Sequence, residues 1–240
     1  MNTDNMAISG QTIDYGPCAF MDRYHPAKVF SSIDQQGRYA YGNQPNIALW
    51  NLAQFASCLL PLMGDEAPAI AALTEVLNGF PAIYEGEWLR LFRAKIGITT
   101  PDEGDAELIE TLLARMAAGH ADFTRTFRAL TLGITTGMGP ALAEAEFDDA
   151  AAFRAWVGDW RLRLANEPAP GAVMARANPA YIPRNHQIEA AITAALSGDH
   201  APFHRLNAVL AHPYEEQPGA EALALAPEPD EVVRRTFCGT

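Results

Sequence analysis

Apolar residues recur every three or four positions through most of this chain, and most of these runs stop at a glycine or a proline. Residues at that spacing share one face of an α-helix, and that face can pack against a core. From Pro45 to about Met63 the apolar face comprises Leu49, Leu52, Phe55, Ala56, Leu59 and Leu60. Further helices are predicted over residues 68–78, 85–96, 106–118, 123–133, 148–164 and 186–196. Few segments alternate as strands do, so the sequence predicts a mainly α fold.

Oxygen-bearing side chains cluster at the start of the chain. Asp4 and Asn5 are adjacent, an apolar run passes through Ile8 and Ile13, and Asp14 then opens an Asp-Tyr-Gly turn. Folded as a small β-hairpin, this segment would place the three polar side chains at its two ends. Magnesium bound to a nucleoside triphosphate needs only one or two protein oxygens, so Asn5 and Asp14 suffice as metal ligands. The Asp4 carboxylate could then accept a proton, as a catalytic Asp does in protein kinases.

The same residues have a plainer interpretation. Asp, Asn and Gly are also typical of ordinary turns, so the residue types alone leave a turn-rich hairpin without catalytic chemistry open. The spacing also differs from that of protein kinases, where the base and the metal-binding Asn lie several residues apart. Here Asp4 and Asn5 are neighbours.

Composition excludes several classes of function. The chain has 240 residues, 49% of them apolar, and can bury a sizeable core as one domain. Its formal net charge of -12 argues against nucleic acids and anionic membranes as partners, because both are bound through clustered Lys and Arg. We identify neither a signal peptide nor an apolar stretch near the length of a membrane span, and we expect a soluble, cytoplasmic protein.

Several longer stretches are more specific than these spacing arguments. They are Asn2-Thr3-Asp4-Asn5-Met6, Thr12-Ile13-Asp14-Tyr15-Gly16-Pro17, Asp34-Gln35-Gln36-Gly37-Arg38-Tyr39-Ala40, Asn43-Gln44-Pro45, Ala48-Leu49-Trp50-Asn51-Leu52, Asn178-Pro179-Ala180-Tyr181, Arg184-Asn185 and Pro213-Tyr214-Glu215-Glu216-Gln217-Pro218. Together they resemble the selenoprotein O family, whose members are kinase-fold proteins that transfer AMP from ATP to hydroxyl side chains of other proteins. The resemblance covers nearly all of the chain, and the first fifty residues are its most specific part.

The resemblance implies a fold and a reaction. The fold would be the helical C-terminal lobe of a protein-kinase-like protein, with the small β-hairpin at its catalytic and metal-binding loops. The reaction would be attack by a Ser, Thr or Tyr hydroxyl of a protein substrate on ATP, with release of pyrophosphate. Asp4 would be the catalytic base, Asn5 and Asp14 would bind Mg²⁺ or Mn²⁺, and Asp14 would also contact ATP.

The resemblance also divides the chain, which we treat as a single lobe over residues 1–240. Residues 1–17 would form the catalytic and metal-binding loops, and residues 18–43 an activation-type segment that shapes the protein-substrate site. A helical array would follow over residues 44–211, with an extended C-terminal tail over residues 212–240.

Part of a kinase-like active site is missing from this sequence. Family members are about twice as long, and we find no glycine-rich loop over the phosphates and no strand Lys with its Glu partner. The lysines present, Lys28 and Lys95, are expected to be solvated. We therefore expect that the N-terminal lobe is absent and is needed for a complete site. Two rival functions stay open: a kinase-type phosphotransferase using the same residues, and a truncated, non-catalytic helical lobe.

Three cysteines are too few for a disulfide framework in a chain of this size. Cys58 lies among apolar residues and is predicted to be a small buried hydrophobe. The family resemblance implies redox control through a C-terminal cysteine, which makes Cys18 and Cys238 a possible pair. The usual partner position reads Val29-Phe30-Ser31 in this sequence, so two free thiols are the alternative.

Arginines recur in two of the later segments. In the predicted helix over residues 148–164, Arg154, Arg161 and Arg163 are expected to form the solvated face. For Arg184 and Asn185 we prefer a cap and a buried pair that pins two helices over a direct catalytic role.

Overall fold

The computed structural model of the chain describes residues 1–11 and 19–236, and these residues are mainly helical. The α-helices are α1 (Gln44–Leu59), α2 (Glu66–Asn78), α3 (Phe80–Lys95), α4 (Asp105–Ala118), α5 (Phe123–Thr135), α6 (Ala141–Glu144), α7 (Ala150–Leu164), α8 (Pro170–Ala177), α9 (Asn185–Leu196), α10 (Ala201–Leu210) and α11 (Glu221–Ala224). Short 3₁₀ turns cover Thr3–Asn5, Tyr41–Asn43 and Leu60–Leu62. The mainly α prediction is therefore confirmed.

The described part of the chain contains no strand, only an isolated antiparallel bridge between Arg23 and Asp122. The first half of the predicted β-hairpin contains the 3₁₀ turn Thr3–Asn5 instead of a strand. Its second half falls in residues 12–18, which lie outside the described residues, so the hairpin stays a prediction.

The helix boundaries follow local chemistry. Pro45 lies in the first turn of α1, where its missing N–H costs no hydrogen bond. Gly97, with φ +84°, ends α3: its N–H donates to the carbonyl of Ala94, and the N–H of Ile98 reaches back to Arg93. These two bonds are the Schellman pattern, which needs a residue in the left-handed region.

Two boundaries differ from the prediction. The third helix begins at Phe80 and not near Glu85, because a single residue, Gly79, separates it from α2. The fifth helix does not end at Gly133 but continues to Thr135. A glycine costs a helix only about 1 kcal/mol, which packing can offset.

The described residues form two compact units. Unit 1 comprises Met1–Cys18, Pro26–Trp88 and Thr236–Thr240, and unit 2 comprises Ala19–His25 and Leu89–Arg235. No described helix has both the length and the apolar character that a membrane span requires.

The core of unit 2 is built around a row of aromatic rings on α7. Phe153, Trp156 and Trp160 are almost completely buried, and the two indole rings stack with centroids 5.4 Å apart. Each indole N–H donates to a backbone carbonyl, that of Leu108 for Trp156 and that of Ile96 for Trp160, both at 2.8 Å. Buried indoles without such acceptors would lose stability, so these bonds set the orientation of α7 in the core.

A buried carboxylate links three elements of unit 2. Asp105, at the start of α4, accepts from Arg93 Nε at 2.6 Å and from Arg163 Nε at 2.8 Å. Burial alone would raise the pKa of Asp105, but the hydrogen bonds from Arg163, Arg93 and the Asp102 backbone lower it. The prediction that Arg163 is solvated is therefore wrong, because the start of α4 brings a buried anion to that face of α7. Arg154 does lie at the surface, where it pairs with Glu144.

Helix α1 in unit 1 buries Ile47, Asn51 and Ala56. The prediction that Cys58 is buried is wrong, because its side chain is exposed. Cys58 falls on the same helical stripe as Ile47 and Asn51, so periodicity favours burial. The packing that buries Ile47 and Asn51 does not extend to the C-terminal end of α1, near which Phe55 is also 40% exposed.

The motif segments at residues 178–181 and 213–218 contact each other. The N–H groups of Ala180 and Tyr181 both donate to the carbonyl of Pro213, at 2.7 and 3.2 Å. The Tyr181 hydroxyl accepts from the Gln217 N–H at 3.1 Å. This contact fixes the start of the C-terminal segment, which is not extended throughout, because Glu221–Ala224 form α11.

Candidate active site

Asp4 and Asn5 lie side by side on the 3₁₀ turn Thr3–Asn5. The turn is closed by a hydrogen bond from the Asn5 N–H to the Asn2 carbonyl at 3.0 Å, and the flanking residues Asn2 and Met6 are extended. Both side chains are exposed, and within the described residues neither has a hydrogen-bond or ion-pair partner. Among the described residues, no contact therefore occupies their oxygens.

The other predicted site residues lie outside the described residues. Asp14 and Cys18 fall in residues 12–18, and Cys238 falls in residues 237–240. Their roles in metal binding, ATP contact and redox pairing stay predictions. Over the described ranges, no group of three or more His, Cys, Asp or Glu side chains is placed to hold a metal ion. That search includes neither the amide oxygen of Asn5 nor Asp14.

A buried side chain of α1 lies directly behind the turn. Asn51 Nδ2 donates to the Met1 carbonyl at 3.1 Å and lies 2.6 Å from Met6 Sδ. Met1 and Met6 lie on either side of the turn Thr3–Asn5, which contains Asp4 and Asn5. Sequence reasoning recorded Asn51 only as part of a motif and did not connect it with the turn.

Residues 26–43, the part of the predicted activation-type segment that belongs to unit 1, are held by backbone contacts. The Asp34 carboxylate accepts from the N–H groups of Arg38 and Tyr39, both at 2.8 Å. This leaves the Arg38 guanidinium over the Trp50 ring, 4.8 Å from its centroid. Farther along, the Ser32 N–H donates to the Thr236 carbonyl at 2.7 Å, which ties the segment to the end of the described chain.

Arg184 in unit 2 forms a buried ion cluster with Asp22 and Asp122. Its guanidinium donates to Asp122 at 2.8 and 3.2 Å and also to Asp22, while the Phe123 N–H donates to the Asp22 carbonyl. Burial alone would lower the pKa of Arg184, but the hydrogen bonds and charges of the two carboxylates raise it. The predicted buried pair is confirmed for Arg184. Asn185 is the first residue of α9, and no side chain caps that helix.

A comparison with known proteins shows the family of this chain. The family model described as protein adenylyltransferase SelO matches residues 1–211, which include Asp4, Asn5 and Asp14. The chain belongs to the SelO family.

Curated SelO relatives are similar along the whole of this chain. The protein nucleotidyltransferase YdiU of Ruegeria pomeroyi is 53% identical over 240 residues, which is 100% of this chain and 49% of that protein. The protein of the same name from a Bradyrhizobium species is 52% identical over 246 residues, covering 100% of this chain and 50% of that protein. The chain thus spans about half the length of the curated relatives it matches.

The SelO-type motif at Asn178 holds a lysine that was expected in solvent. Lys95 Nζ donates to Asn178 Oδ1 at 3.1 Å and to the Ala177 carbonyl at 3.3 Å. The ammonium also lies 4.8 Å from the centroid of the Phe127 ring, and burial lowers the pKa of Lys95 to about 8. The prediction of a solvated Lys95 is wrong, because the end of α3 packs against the Asn178 segment. Lys28 is exposed, as predicted.

A second polar region of this SelO-family chain is a cavity of about 370 Å³ in unit 2. Its wall includes His120 and Asp148, which pair at 2.9 Å, and Arg125 and Glu146, which pair at 2.7 Å. These side chains are engaged with each other, so we assign the cavity no ligand. Sequence reasoning did not identify it, because its residues come from separate segments.

Proposed function

We propose that this chain carries part of the active site of a protein adenylyltransferase, which transfers AMP from ATP to Ser, Thr or Tyr hydroxyls of protein substrates. One observation carries the proposal. Asp4 and Asn5 lie adjacent on an exposed turn, without side-chain partners among the described residues, in the part of the chain that the SelO family model matches. A carboxylate without a structural partner is free for proton transfer, and the neighbouring amide oxygen is free for metal binding.

The residues of the proposed site fit a divalent cation. Mg²⁺ prefers carboxylate, amide and water oxygens, and Asn5 with Asp14 supplies one amide and one carboxylate. Mn²⁺ accepts the same ligands. The bound ion would neutralise charge that develops on the phosphates of ATP, which Asp14 would also contact.

In the proposed reaction Asp4 orients the substrate hydroxyl and accepts its proton. The hydroxyl oxygen forms a bond to the α-phosphorus, the bond between that phosphorus and the bridging oxygen breaks, and pyrophosphate leaves. Proton transfer by a positioned side chain contributes about 10²–10⁴-fold to rate. Attack at the α-phosphorus rests on the SelO family and not on the geometry of the turn.

We propose a kinase-like helical lobe as the context of this site, in a protein that works in the cytoplasm. The groups that bind the phosphates would come from the half of the relatives that these 240 residues do not match. Positioning and charge stabilisation supply most of the catalysis in phosphoryl transfer, so a lone chain should bind ATP weakly. A non-catalytic helical lobe is the rival function.

The test is a reconstitution. The chain is titrated calorimetrically with ATP and Mg²⁺, alone and with a separate polypeptide that comprises the unmatched half of the Ruegeria pomeroyi relative. We expect measurable binding only with both polypeptides. Transfer is then followed with ATP labelled at either the α- or the γ-phosphate. Label from the α-phosphate on protein supports AMP transfer, label from the γ-phosphate would indicate a kinase, and no label would favour the non-catalytic lobe.

Three variants assign the roles. Asp4→Ala should leave nucleotide binding unchanged and abolish transfer, and unchanged turnover would remove Asp4 from the role of base. Asp14→Ala should abolish Mn²⁺ binding without loss of helical content, and an unaltered affinity would exclude Asp14 as a ligand. Asp65→Ala is the matched control, because Asp65 is also an exposed acid of unit 1 and makes no side-chain cap bond.

A further inference from the structure

We propose that Asn51 is a positioning residue that holds the turn carrying Asp4 and Asn5 in place. The contacts of Asn51 stand on their own, whereas their consequence for catalysis rests on the proposed function. Asn51 lies in α1, and both α1 and the turn belong to unit 1.

The carboxamide of Asn51 reaches both ends of the turn. Its Nδ2 donates to the Met1 carbonyl at 3.1 Å, before the turn, and lies 2.6 Å from Met6 Sδ, after it. One side chain thus links a residue of α1 to two points of the chain that lie 45 and 50 positions away in sequence. The three turn residues themselves make no side-chain hydrogen bond within the described residues.

The burial of Asn51 argues against a role in packing alone. The residue is only 6% exposed, and its buried Oδ1 has no hydrogen-bond partner among the described residues. A buried polar atom without a partner costs about 1–3 kcal/mol. Leucine has the same branched skeleton without such a cost, although it is larger, so packing of α1 alone would favour an apolar residue at this position. What asparagine adds is the pair of Nδ2 contacts that flank the turn.

Holding this turn matters because the side chains of Asp4 and Asn5 are exposed and make no hydrogen bond among the described residues. Catalytic groups have to be held within about 0.5 Å of their working geometry. A displacement of about 1 Å can lower turnover about 100-fold. Loss of the Asn51 contacts should therefore lower kcat more than it changes the KM for ATP.

The experiment compares two substitutions with a matched control. Asn51→Leu removes both the donor and the acceptor and keeps the branched skeleton with a larger volume, and Asn51→Asp keeps both shape and volume but removes the donor. Gln54→Leu is the control, since Gln54 is exposed one turn along the same helix. The first measurement is backbone ¹⁵N relaxation of Thr3 to Met6 in the 240-residue chain.

We expect the backbone order parameters of the turn to fall from about 0.85 to below about 0.6 in both Asn51 variants. The control should match the wild type. An ordered turn in Asn51→Leu would overturn the proposal, and so would a turn that is already flexible in the wild type.

The second measurement separates this proposal from the proposed function. In the reconstituted pair of polypeptides, Asn51→Leu should lower kcat about tenfold or more, with the KM for ATP changed by less than about twofold. A loosened turn with unchanged kcat would refute the positioning role. If the wild-type pair transfers no AMP, the proposed function fails, and the order parameters still decide whether Asn51 holds the turn.

Discussion

Replacing Arg184 by Met tests whether this motif residue has a structural role. The guanidinium is 1% exposed and makes ion pairs with Asp122, whose side chain is 4% exposed, and with Asp22, whose side chain is 26% exposed. Methionine keeps much of the side-chain volume but leaves the Asp122 carboxylate buried without its counter-charge. Asp122 would retain only the N-cap hydrogen bond from the Arg125 N–H at 2.8 Å.

The burial of the partners sets the expected magnitude. Removing one member of a buried, hydrogen-bonded ion pair costs about 3–5 kcal/mol, whereas an exposed pair contributes about 0–1 kcal/mol. Whole domains are stable by only about 5–15 kcal/mol, so Arg184→Met should remove a large share of the stability of unit 2. Arg184→Lys should cost less, because an ammonium keeps the charge but cannot match the paired hydrogen bonds to Asp122.

The assay is urea unfolding followed by circular dichroism, together with hydrogen exchange of α5, whose N-cap is Asp122. Arg154→Met is the matched control. Like Arg184, Arg154 pairs with a carboxylate, that of Glu144, but its side chain is 58% exposed. We expect a loss of about 3–5 kcal/mol for Arg184→Met and less than about 1 kcal/mol for the control. Equal stabilities of the two variants would refute the structural role. A catalytic role would be favoured if Arg184→Met were as stable as the wild type but inactive in the reconstituted assay.

Two further predictions concern glycine packing and a buried amine. Gly133→Ala should destabilise the protein by about 2 kcal/mol or more, because the new Cβ would lie 2.0 Å from the Gly139 carbonyl oxygen. In Gly158→Ala the new Cβ meets nothing within 4 Å, and the substitution should stabilise α7 by about 0.5–1 kcal/mol. Thermal melts of both variants decide this, and a Gly133→Ala variant as stable as Gly158→Ala would contradict the close approach. The pKa of Lys95 is lowered from 10.5 to about 8 in the folded protein. Between these pH values the unfolded chain therefore binds one more proton than the folded protein, and stability rises with pH. Relative to Lys95→Met, the wild type should gain up to about 3 kcal/mol between pH 8 and 10.5. Urea unfolding of both proteins at pH 7.5 and 10.5 measures the difference, and a difference independent of pH would show that Lys95 titrates normally.

Most helices could be predicted from the sequence because their signals are local. The spacing of apolar residues and the positions of Gly and Pro depend on neighbours within a few residues, and these predicted the ends of α2 at Asn78 and α7 at Leu164 correctly. The candidate site residues Asp4 and Asn5 could be proposed for the same reason, since adjacent residues stay adjacent in any fold.

Burial and partners were decided by the tertiary structure. Arg163 and Lys95 look like solvated side chains in sequence, yet Asp105 and Asn178, which are 58 and 83 residues away, place a buried partner beside each. Cys58 lies on the same helical stripe as the buried residues Ile47 and Asn51, but near the end of α1 its side chain is exposed. No local pattern reports such long-range contacts.

The same distinction holds at the candidate site. The sequence by itself determined which residues could hold a metal ion and accept a proton, because that is a matter of side-chain chemistry. Only the tertiary structure placed Asn51 of α1 behind the turn, with its Nδ2 within reach of Met1 and Met6. A contact across 50 residues depends on how the intervening chain folds, and the spacing of the residues in sequence does not encode it.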